Sequence, residues 1–94
     1  MLQKFNFHHS SKYVVGKDIY LVTRQGDVLQ GFTIASVLAN LVSIDKPPLK
    51  GSEKQGFTIK GPYLKPNWCE GRKQFWGACL SYEEACAIAS KFKQ

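Results

Sequence analysis

The sequence predicts a mainly β (α+β) protein: a small, strongly bent barrel of about five strands with a C-terminal α-helix. Three observations predict it. From Ile19 to Arg24 the side chains sort with period two onto the two sides of an extended chain, and a turn at Gly26 is followed by a second such run from Val28, the arrangement of paired strands. Glycines stand at 16, 26 and 31, around and inside that pattern, and a glycine within a strand marks a bulge or sharp bend. The last fourteen residues carry a helix start signal and an apolar face at helical spacing.

The chain has 94 residues, enough for one domain that buries roughly 60 to 65% of the surface its unfolded form exposes. Within the single domain 1–94, residues 1–12 read as an arm, 13–64 as the barrel core, and 65–94 as an additional strand and the helix. No apolar run approaches the roughly 20 residues of a membrane span, and the first residues, "MLQKFNFHHSSKY", lack the apolar stretch of a secretory signal. The expectation is a soluble, cytoplasmic protein with no membrane partner.

The first hairpin follows from side-chain alternation. Ile19, Leu21 and Thr23 share one side of an extended chain, and Tyr20, Val22 and Arg24 the other. Gln25-Gly26-Asp27 reads as the turn, since Gly26 can adopt a positive φ without a Cβ clash. Val28 to Ile34 then runs back, with Gly31 bending it. In "ASVLANLVSID", Val37, Leu38 and Leu41 could form a helical stripe, but no cap bounds such a helix. Asn40 to Asp45 is therefore assigned as a strand.

Residues 45 to 56, with two prolines, two glycines and three lysines, cannot sustain a helix interior or a central strand and form a loop. Alternation resumes at Phe57 and Ile59 until Gly61-Pro62 breaks it. The pentapeptide "QGFTI" at 30–34 recurs at 55–59, but the match extends no further and implies no duplication. Residues 65 to 73 read as a second polar connection, and "QFWGACL" as a short strand. Ser81 and Glu84 then form a capping-box pattern, Glu83 adds negative charge at the helix start, and Ala85, Ile88, Ala89 and Phe92 make the apolar face. That helix is placed on the sheet or across one barrel end.

Catalytic chemistry finds no support in the residues. His8, His9, Ser10 and Ser11 pair bases with hydroxyls, but adjacent residues in an arm cannot be held in nucleophile–base geometry. Glu83 and Glu84 are accounted for by the helix start. No Walker loop, GxGxxG or GxSxG occurs, and the chain reads as a non-enzyme without cofactor or metal. Cys69, Cys79 and Cys86 are odd in number and at spacings that fit neither a complete disulfide framework nor CxxC knuckles, so reduced thiols are expected, with a single disulfide as the alternative. Cys79 and Cys86 are expected to be small buried residues near the helix.

Thirteen Lys and Arg residues against seven Asp and Glu give a formal charge of +6, which favours polyanionic partners. The positive residues cluster loosely at Lys46, Lys50, Lys54, Lys60, Lys65, Arg72 and Lys73.

The order "VVGKDIYLVTRQGDVLQG", "ANLVSID", "TIKGPYL" resembles the Sm-like family of small bent barrels, over about residues 13 to 64. Gly16-Lys17 matches the opening of that family's first strand, Gly26 its turn and Gly31 its curved second strand. Asn40 and Ile59-Lys60-Gly61 are similar to its asparagine and its later I-(R/K)-G signature. The resemblance implies an SH3-like barrel that assembles into homo-oligomeric rings and takes single-stranded RNA in a pocket between two loops. By the same resemblance, Asn40 would hydrogen-bond base edges, Lys60 would stack or contact phosphate, and Gly61 would allow close backbone approach. The chain departs from the family where an aspartate and a stacking residue are usual. Ser36 and Leu38 occupy those positions, Leu38 offering only apolar contact, and the segment between Gly31 and Asn40 is one residue short. The rival reading is a protein-interaction adaptor, such as an accessory protein of a mobile element or phage, that uses Trp68, Phe75 and Trp76 as aromatic anchors.

Overall fold

The computed structural model describes residues 12–48 and 56–93. Its elements in chain order are β1 (Asp18–Thr23), β2 (Val28–Leu38), β3 (Leu41–Ile44), β4 (Gly56–Lys60), β5 (Tyr63–Pro66), α1 (Cys69–Gln74), β6 (Phe75–Cys79) and α2 (Tyr82–Lys91). Each strand pairs antiparallel with the next, and β6 returns to β1 to close a barrel. The mainly β barrel with a C-terminal helix is thus the observed fold, with six strands where about five were expected. The sixth arises at Gly61-Pro62, which turns the chain and lets Tyr63–Pro66 pair back along β4.

Barrel closure depends on strand bending, and β2 shows how it is achieved. Its pairing with β1 passes from Ile19↔Phe32 to Leu21↔Leu29, so one extra β2 residue is accommodated around Gln30 and Gly31. Gly31 has φ +90°, a left-handed conformation that glycine enters without a Cβ clash. A second irregularity, between Ile34↔Ile44 and Ser36↔Ser43, places another extra residue at Ala35. Each bulge bends the strand and increases its twist. As a result the first half of β2 pairs with β1 and its last residues with β3. The strand runs to Leu38, four residues past the expected end at Ile34, because bulges allow one long strand to serve both neighbours.

The interior holds Ile19, Leu21, Ile34, Ile44, Phe57 and Leu64, all essentially without solvent exposure. Trp68 lies at the edge of this core, its ring edge-on to Phe57 at 5.5 Å. A second cluster forms outside the barrel wall, where Val22 and Cys79 meet Ala85, Ile88 and Ala89 of α2. This explains why both faces of β1 are apolar: Ile19 and Leu21 point into the barrel, and Val22 points under the helix. The helix starts as its sequence indicates, with the Ser81 hydroxyl accepting from the Glu84 N–H at 3.3 Å. Phe92, expected on its buried face, is 37% exposed because it is the C-cap, past the last helical residue.

One element departs from the expectation for residues 65–73. Cys69–Gln74 is a short helix rather than an irregular connection. Its N-cap, Trp68, makes no side-chain cap bond, and six residues are too few for a helical stripe to be read. Packing sets it instead. The Trp68 indole lies under Gly71, and a Cβ at Gly71 would stand 2.5 Å from the ring. Residues 1–11 of the expected arm, with His8, His9, Ser10 and Ser11, and residues 49–55, with Lys50 and Lys54, lie outside the described residues.

Candidate nucleic-acid interface

Two turns meet at one end of the barrel. Between β2 and β3, Ala39 has φ +56° and reverses the chain, and the Asn40 carbonyl accepts the Ile59 N–H at 2.8 Å. Between β4 and β5, Gly61 has φ +59°, and Lys60 pairs with Tyr63 across the turn. Asn40 is therefore brought beside Ile59-Lys60-Gly61, although some twenty positions separate them in sequence. Leu38, Asn40, Lys60 and Gly61 are all exposed, Leu38 at 74%. Gly61 is explained locally by its positive φ; a Cβ there would meet nothing within 4 Å.

Lys60 also belongs to a groove on the outer wall. Strand alternation sends Phe57 inward and Thr58 and Lys60 outward on β4, and Lys65, opposite Thr58 on β5, points the same way. From the other side, β6 carries a third irregularity: the pairing passes from Val22↔Gly77 to Thr23↔Phe75, leaving Trp76 as the extra residue. Bulges re-aim side chains, and here Phe75 stays in the core while the Trp76 indole turns outward. Arg24, just past β1, and Arg72, in α1, complete the rim. Together these residues line a groove of about 310 Å³.

The groove is held by specific contacts. The Lys65 ammonium sits 3.4 Å from the centre of the Trp76 ring and donates to the Trp76 carbonyl at 3.1 Å. Tyr63 packs edge-on against the same indole at 4.9 Å. Arg24 Nε donates to the Arg72 carbonyl at 2.7 Å, which ties the end of β1 to α1. Burial of the ammonium, reinforced by repulsion from Arg24, holds the Lys65 pKa below the usual lysine value. Among the described residues the lining contains four cationic side chains and no carboxylate.

The aromatic residues weighed as exposed anchors divide differently. Trp68 is 8% exposed and Phe75 1%, because one lies beneath α1 and the other inside the barrel. Only Trp76 reaches the surface, half-buried. Cys79 is buried, Cys86 partly so and Cys69 exposed, all as free thiols.

Sequence reasoning named Lys65 and Arg72 only as members of a loose cluster and did not connect Arg24. The outward positions on β4 and β5 were a usable signal; the bulge that aims Trp76 was not, since it depends on β1 pairing. No described helix is long and apolar enough to cross a membrane. No protein-family model matches the chain, and neither a curated protein nor a solved structure is significantly similar to it.

Proposed function

We propose that the protein is a small basic binding module for single-stranded RNA, received at the barrel end where the β2–β3 and β4–β5 turns meet, as its resemblance to the Sm-like family implies. The observation that carries this reading is the adjacency of Asn40 to Ile59-Lys60-Gly61, fixed by the Asn40–Ile59 backbone bond. The Asn40 amide offers donors and an acceptor for a base edge, Lys60 offers a phosphate contact, and Leu38 offers apolar surface beside the pair. With Leu38 in place of a stacking residue, the base contributes little stacking energy, and affinity rests mainly on phosphate contacts. A protein partner anchored on aromatic side chains has less support, since Trp68 and Phe75 lie in the core.

Binding of a short oligouridylate, followed by fluorescence anisotropy at low salt, tests the reading. Asn40→Ala and Lys60→Ala should each weaken binding, and Lys60→Ala should also make the dependence of log Kd on log salt shallower by about 0.7, the effect of one lost contact to a single strand. Undetectable binding, or binding unchanged in both variants, would refute it.

A further inference from the structure

We propose that the outer-wall groove is a second seat on the same strand, taking a backbone phosphate between Lys65 and Arg72 while Lys60 hands the strand over from the turn pair. The inference rests on the RNA reading above, but it uses residues that the Sm-like resemblance does not reach: Lys65, Arg72 and Trp76 lie beyond residue 64.

Charge and shape point to an anion. Four cationic side chains converge on about 310 Å³ without a carboxylate among the described lining residues, although the chain carries seven acidic residues. Like charges gathered in a concave, partly desolvated site repel one another, and an anion between them removes that repulsion. Lys65 is the clearest case. Its ammonium is partly drawn out of bulk water onto the Trp76 ring, its partners among the described residues being the ring and the Trp76 carbonyl, and it feels the Arg24 charge as a further cost. A phosphate oxygen would supply the counter-charge that no described side chain provides. Arg72 brings a planar guanidinium suited to two phosphate oxygens, and its Nη2 makes only a weak contact to Cys69 Sγ, at 3.5 Å.

Position favours a strand over an isolated ion as the occupant. Lys60 lines the groove and also flanks Gly61 in the turn pair, so a chain of phosphates leaving Asn40 has a continuous cationic path. Trp76 forms the floor beneath that path and gives it a spectroscopic label.

The same short oligouridylate is titrated into wild type, Lys65→Met with Arg72→Ala, Asn40→Ala and Trp76→Phe, with circular dichroism confirming that each is folded. Methionine keeps an aliphatic chain over the indole, and Arg72→Ala leaves the carbonyl that Arg24 uses. The double variant should bind several-fold more weakly, with a salt slope shallower by about 0.7 for each lost contact. Oligonucleotide should also change wild-type tryptophan emission, and Trp76→Phe should abolish that change because Trp68 is buried. If Asn40→Ala weakens binding but the double variant binds like wild type with an unaltered salt slope, the second seat is refuted and the RNA reading stands. If no oligonucleotide binds wild type, both fall.

Discussion

Cys79 shows how one buried side chain sets a condition on the whole fold. Its thiol lies between the barrel wall and α2, and burial, with Glu84 adding to it and Lys65 opposing it, pushes its pKa up to about 12. In an unfolded chain a cysteine ionises near pH ~8.5. Above that point the unfolded state releases a proton that the folded state retains until about pH 12, so stability falls as pH rises through this window and is unaffected below it. The urea midpoint should therefore drop between neutral pH and pH 10, and Cys79→Ala should flatten the drop while lowering the neutral-pH midpoint through lost packing. Equal slopes in the two proteins would disprove this coupling. Sequence alone gave Cys79 as a small buried residue beside the helix, because strand alternation and the Ser81 cap are local signals. It left Trp68 open, because burial of that indole depends on Phe57 and on a helix that packs over it.

At the scale of elements, the hairpin, the strand at residues 41–44 and α2 were legible because periodicity, turn glycines and a capping serine act over a few residues. The longer reach of β2, the pairing of β5 and the existence of α1 were not, since each is decided by a partner distant in sequence. α1 is the sharpest instance: it contains a glycine and has no side-chain cap, yet it forms because Gly71 leaves room for the Trp68 ring. Gly71→Ala would force a methyl group to 2.5 Å from that indole and should cost about 1 to 3 kcal/mol by overpacking, read from urea unfolding. The opposite outcome, a modest gain from replacing glycine within a helix, would show that the ring can shift aside. Because Arg72 is the next residue, the same variant should also disturb the rim of the basic groove.

For the whole molecule, the decisive feature is that β6 pairs with both β5 and β1. The segment outside the Sm-like resemblance is thereby built into the sheet, which leaves no described barrel strand as an edge. With the described strands closed on themselves, the expected species in dilute solution is a monomer of 10.6 kDa, measurable by light scattering after gel filtration. A mass several times larger would locate assembly on another surface. Strand alternation and glycine spacing made a small bent barrel readable from the sequence; that β6 supplies the closing strand was not, because its pairing with β1 and β5 joins residues far apart in the chain. The seal also imposes an order in time. Strand β1 emerges from the ribosome well before β6 and finds its second neighbour only when β6 has followed, so the nascent sheet must wait, one flank unzipped, until Phe75–Cys79 has been made.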